Sequence, residues 1–130
     1  MMIQEKAEQV ANSMVQHRHT DQFLLVNVPV ATIEELFVKY PRLYFPPNGE
    51  SRIGRRQEFV DFVDTGADVE SPFVFIGEDS TGLNVRFMNG RHRFSVLRDA
   101  GAQRINVTMG QTSVNRLKRA GVDVRMAKAS

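Results

Sequence analysis

Apolar residues recur along this chain at two spacings, and the switches between them mark its elements. Ile3, Ala7, Val10, Ala11, Met14 and Val15 fall at intervals of three and four, which predicts an amphipathic helix over 3–16. His17, Arg18 and His19 follow at its expected C-terminal end, where positive charge complements the helix dipole. Phe23–Val28 (FLLVNV) reads as a strand that Pro29 ends or places at an edge. Thr32-Ile33-Glu34-Glu35 has the form of a capping box and predicts a short helix with Leu36, Phe37 and Tyr40 on its apolar side. Pro41–Ser51 reads as a proline-rich loop, too aromatic with Tyr44 and Phe45 to be a free linker. A second amphipathic helix is expected over Arg55–Thr65, burying Phe59, Phe62 and Val63 and stopped by Gly66.

Phe73–Ile76 reads as a strand buried on both faces, and Gly77–Gly82 as a turn. Asn84–Met88 alternates, with Val85 and Phe87 on one side and Arg86 and Met88 on the other. Asn89-Gly90 then makes a tight turn into a helix over Arg91–Ala100 that buries Phe94, Leu97 and Ala100. Ile105, Val107 and Met109 alternate as a last strand, Val114–Ala120 predicts a short basic helix, and residues 121–130 are expected to fray. This order predicts an α+β or compact α/β domain, with α+β preferred. It has a small mixed four-stranded sheet over residues 23–110, preceded by an N-terminal helical extension over 1–22. A basic helix and tail follow over 111–130.

Composition narrows the class. The 130 residues suit one domain, since domains typically take about 100–200. With 42% hydrophobic and 25% charged residues, a wholly disordered or collagen-like chain is excluded. The absence of cysteine excludes a disulfide scaffold, a thiolate zinc site and a cysteine nucleophile. No apolar run approaches the roughly 20 residues of a membrane span. The polar start MMIQEKAEQV lacks the order of a secretion signal, so a cytoplasmic location is expected.

The net charge of +2 is unevenly spread. Glu58 to Asp79 carries seven acids and no Lys or Arg, whereas Arg86 to Arg104 carries five arginines against Asp99 alone. Five cations stand against Asp123 in the last eighteen residues. A clustered basic surface suits a polyanion, with Arg116, Lys118 and Arg119 as the expected nucleic-acid contacts; a merely solvated helix face has equal claim.

Candidate chemistry concentrates in Phe87-Met88-Asn89-Gly90-Arg91-His92-Arg93-Phe94. A strand ends, a glycine turns the chain, and a helix begins among Arg, His and Arg. Free amides at a helix N-terminus aim at an anion, and guanidinium forks suit phosphate oxygens. Gly90, Arg91 and Arg93, in the turn that opens at Asn89, are therefore the expected phosphate contacts, with Gly90 removing the Cβ that would hold an anion off the backbone; His92 on its own is more often a hydrogen-bonded structural residue. The competing structural reading pairs these arginines with Glu58, Asp61 or Asp64.

The run from Val85 to Met109, with its Asn-Gly-Arg-His-Arg turn, resembles the ParB/sulfiredoxin superfamily. So do Val26-Asn27-Val28-Pro29-Val30 as a first strand and Phe59–Val63 followed by Ser71-Pro72-Phe73-Val74-Phe75-Ile76 as helix and second strand. The resemblance covers roughly Phe23 to Met109 and implies the fold of that superfamily and a nucleotide, ATP or CTP, with its phosphates at Gly90–Arg93. It carries phosphate contact to His92 and Arg93, implies a further basic contact at Arg55, and adds Arg52.

Departures limit what is carried over. Sulfiredoxins have a cysteine where Arg91 stands, so sulfinic acid repair is excluded. About twenty residues follow Met109, so the DNA-binding and dimerisation domains of partition proteins are not expected. A free-serine kinase of this group needs an acid as base, for which Glu34, Glu35 and Glu50 are the candidates.

Two readings follow. One is an enzyme on phosphate esters, an NTPase or nuclease using Mg²⁺ held by unidentified ligands, with His92 and Arg93 as its catalytic residues. The alternative is a non-catalytic nucleic-acid- or protein-binding accessory protein of a plasmid or phage, with DNA as a partner. A minor third reading uses the acidic stretch 58–79 against a basic partner.

Overall fold

A computed structural model describes residues 2–18, 20–47 and 55–127. Among them the order is α1 (Gln4–Ala11), β1 (Leu24–Pro29), α2 (Val30–Phe37), α3 (Arg55–Asp64), β2 (Phe73–Asp79), β3 (Gly82–Asn89), α4 (Arg91–Asp99), β4 (Arg104–Met109), α5 (Gln111–Arg119) and β5 (Arg125–Met126). The domain is α+β, as the order of periodicities predicts. No helix is long and apolar enough to cross a membrane among the described residues.

The strands form one mixed sheet in the order β3-β2-β4-β1-β5. Pairing is antiparallel except at the parallel step Phe73–Thr108 between β2 and β4. Ile105, Val107 and Met109 of β4 are fully buried, as are Val26 and Val28 of β1. Asn106 and Thr108 are buried too, because the chain after α1 covers them: Asn106 donates to the Met14 carbonyl at 3.0 Å, and the Thr108 hydroxyl accepts from the His17 amide at 3.1 Å. The core side of β2 and β3 meets α2 and α4 through a ring cluster, with Phe37 4.8 Å from Phe87 and Phe87 5.5 Å from Phe94.

After Phe73, β2 separates from β4, and α5 closes the gap. The Ser113 hydroxyl accepts the Ile76 amide at 2.9 Å, and Arg116 donates to the Ile76 carbonyl at 2.9 Å. Two side chains thus stand in for a missing ladder, since buried backbone groups must find partners.

Several expectations are corrected. The first helix stops at Ala11 rather than 16, because the Asn12 side chain turns back to the Glu8 carbonyl and also bonds Arg104 and Asn27. Met14 still reaches the core, but from extended chain. The Thr32 capping box does not form: β1 runs directly into α2, which begins at Val30 with its amide held by the Gln103 carbonyl at 2.9 Å. Phe62 is 45% exposed and Phe75 42%, so neither is core. α5 starts at Gln111, three residues early.

Nor is 121–127 frayed. Arg104 grips the carbonyls of Asn27 (2.8 Å) and Asp123 (2.7 Å), which seats β5 against β1 as a fifth strand beyond the four expected. Residues 128–130 lie outside the described residues. The described parts of 1–22 and 111–130 supply Ala7, Val10, Ala11, Met14, Val114 and Leu117 to the same core as 23–110.

Ser113→Ala is expected to strand the buried Ile76 amide and to cost about 1–3 kcal/mol, read as a lower urea midpoint at unchanged slope. At the β2–β3 turn, Asp79 accepts from the Thr81 hydroxyl and amide, which holds its carboxyl below the usual range. Its contribution to the turn is present above the unfolded value of about 3.9 and fades as pH falls through the lowered folded value. An NMR carboxyl titration of Asp79 should place its midpoint below that of a free aspartate.

Candidate functional site

β3 delivers the chain to Gly90, which takes a left-handed φ of 88° before α4 begins. A Cβ there would stand 2.7 Å from Pro72 Cα and 2.8 Å from Arg93 Nη2. Glycine is therefore required, though not to admit an anion directly: the space it leaves is filled by Pro72 and by the guanidinium of Arg93.

Arg93 lies back along the chain before β2. Its Nε donates to the Glu70 carbonyl at 2.9 Å and its Nη2 to the Ser71 carbonyl at 3.4 Å. Burial pulls its pKa below the ordinary arginine value, the Glu70 charge opposes that shift, and Arg18 adds to it. The guanidinium remains a cation at neutral pH. The Glu70 carboxylate is engaged elsewhere, with Arg18 at 2.8 Å and His17 at 3.7 Å. His17 and Arg18 therefore serve a carboxylate rather than a helix end; His19 lies outside the described residues.

A cavity of about 380 Å³ opens beside this turn. α3 supplies Arg55, Glu58, Phe59 and Phe62, the chain before β2 supplies Asp68, Val69 and Glu70, and the turn supplies Asn89, Gly90, His92 and Arg93. Arg18 completes the wall. Three arginines and three acidic residues thus line one cavity. Among the described residues, no carboxylate lies within 4 Å of the guanidinium nitrogens of Arg55, Arg91 or Arg93, so the expected pairing with Glu58, Asp61 or Asp64 is not found as contact ion pairs.

Five of the expected contacts therefore share one cavity: Asn89, Gly90, His92, Arg93 and Arg55. Arg91 does not join them. It donates to the Leu43 carbonyl at 3.2 Å, stacks over Phe45 at 4.6 Å, and lines a separate cavity of about 210 Å³ with Phe37, Tyr40 and Phe87. Residues two apart on a helix do not share a face, and that spacing already separates Arg91 from Arg93. The His92 ring lies 4.7 Å from that of Phe45. Arg52 and Glu50 lie outside the described residues.

Glu34 is bound by Tyr44 and by Arg98 at 2.9 Å, and Asp99 is bound by Arg98 and Arg56. Burial, then the Glu34 bond, raises the Tyr44 pKa. Neither Glu34 nor Glu35 lines the cavity; Glu58, Asp68 and Glu70 do, of which the sequence marks Glu58 as an arginine partner and the other two only as members of the acidic stretch 58–79. Arg116 is committed to the Ile76 carbonyl, while Lys118 and Arg119 are exposed on α5. Among the described residues no three His, Asp or Glu side chains converge as metal ligands.

Gly90→Ala should destabilise the fold by at least about 2 kcal/mol, from left-handed strain plus the clash with Pro72, measured by urea unfolding. Neither a family model, a curated protein nor a solved structure matches the chain.

Proposed function

We propose that the cavity beside the Gly90 turn binds the phosphates of a nucleotide, of ATP or CTP type, in the manner of the ParB/sulfiredoxin domains that the turn resembles. The observation that carries this reading is the state of Arg93. Its half-buried guanidinium rests on two neutral carbonyls and, among the described residues, faces an open cavity without a contact carboxylate. A desolvated cation lowers its free energy when an anionic oxygen completes its partners. The amides of the first turn of α4 add partial positive charge at the same place.

Arg55 of α3 lines the same cavity as a second phosphate donor, and Phe59 and Phe62 offer an apolar wall for base or sugar. Such a cavity lies in the size range of small-ligand sites, about 300–1,000 Å³. Among the described residues no three carboxylate or imidazole side chains converge to hold Mg²⁺. If the bound ester is hydrolysed, Arg93 neutralises charge developing on the phosphoryl oxygens, and His92, at the cavity wall, is one group able to carry a proton beside the cavity's carboxylates. The non-catalytic reading uses the same cavity for binding alone and keeps Lys118 and Arg119 as free surface cations.

ATP or CTP at about 100 times its Kd should stabilise the protein by about 2.7 kcal/mol, a rise of several degrees in Tm. Arg55→Ala, at an exposed position, should weaken binding roughly tenfold, and Arg93→Ala should abolish the shift. Phosphate release with Mg²⁺ then separates hydrolase from binder. No thermal shift with any nucleoside triphosphate would sink the proposal.

A further inference from the structure

A second, larger groove lies on the outer face of the sheet. Phe23, Phe73, Phe75 and Met88 line about 670 Å³ of space between β2, β3 and the start of α5. Phe75 is 42% exposed and Met88 57%. Single exposed apolar residues need no explanation, but contiguous ones mark interaction sites. Phe75 stands directly across from Arg86 in the β2–β3 register, and Arg116 sits 5.6 Å over the Phe75 ring. The remaining polar lining is neutral, including Gln22, Gln111 and Thr112; among the described residues no carboxylate lines this groove, in contrast to the three in the first cavity. Arg119 follows Arg116 by three positions and so continues the same helix face.

We propose that this face binds single-stranded nucleic acid. Bases stack on exposed aromatic faces while guanidiniums track the phosphates, and this combination is tolerant of sequence. Phe75 and Phe73 provide ring surface; Arg86 and Arg119 provide the positive track, while Arg116, held by the Ile76 carbonyl, adds its charge over the Phe75 ring. Charge complementarity selects a polyanion, and the rings select one whose flat faces are uncovered. A duplex hides its base faces, and an acidic polypeptide has none.

The test is fluorescence anisotropy with labelled single strands of about 12 nucleotides, set against a duplex of equal length. Single strands should bind more tightly than the duplex and lose affinity steeply between about 50 and 200 mM salt. Phe75→Ala should weaken binding roughly tenfold, the scale of one lost base stack. Met88→Ala and Arg86→Gln, both at exposed positions, are the further variants if Phe75→Ala melts early by circular dichroism. Phe75→Ala should keep the triphosphate-induced thermal shift of the unmodified protein, which separates this face from the first cavity. Equal affinity for duplex, affinity unmoved by all three variants, or displacement of the strand by polyglutamate at equal charge would each overturn the proposal; the last would assign the face to an acidic protein.

Discussion

The structure depends on a stretch of four residues, 69–72, that belongs to no helix and to no strand of the main sheet. Its backbone is hydrogen-bonded from three directions. The Val15 amide donates to the Val69 carbonyl, and Ser71 returns the bond to Val15. On another side the Thr108 amide takes the Pro72 carbonyl at 2.8 Å, and the Ser71 and Thr108 hydroxyls meet at 2.7 Å. From the third, Arg93 binds the Glu70 and Ser71 carbonyls while Gly90 lies against Pro72. The N-terminal segment, the central strand and the start of α4 are thereby fixed relative to one another, and the first cavity opens between this stretch, the Gly90 turn and α3. A site assembled this way is held by backbone, so its guanidinium is positioned before any ligand arrives.

Elements with a clean period were legible in the amino-acid sequence. β1, β3 and β4 alternate, and α4 is bracketed by Gly90 and Gly101, so their order and the turn between β3 and α4 followed from local pattern. What failed was decided by distant partners. Asn12 ends α1 because Glu8, Asn27 and Arg104 surround it, and Gln103 starts α2 from across the fold. β5 depends on Arg104, whose role no local window reveals, although Val122, Val124 and Met126 alternate and were a missed signal. Phe62 and Phe75 looked like core by hydrophobicity alone, yet each sits where a helix or sheet face is left open.

The candidate site shows the same division. The Gly90–Arg93 turn came from residue type and order and Arg55 from the family resemblance alone, but their convergence with Arg18 and Glu70 required the 69–72 stretch. The acidic run 58–79 does not form one docking face. Glu58, Asp68 and Glu70 enter the cavity, Asp61 accepts from Gln57 at 2.8 Å, and Asp79 closes the β2–β3 turn. Charge that looks blocked along the chain is interleaved in space, which keeps the cavity near balance rather than strongly positive.

The use of Ser113 and Arg116 to complete β2 bears on self-association. A bare inner edge beside exposed Phe75 would template cross-β growth, but α5 occupies it with side chains that no incoming strand can mimic. At the sheet's outer margin, the Lys39 ammonium rests on the Leu83 carbonyl of β3, a charge that an invading chain would have to displace. An aromatic surface can therefore stay uncovered here without inviting fibrils.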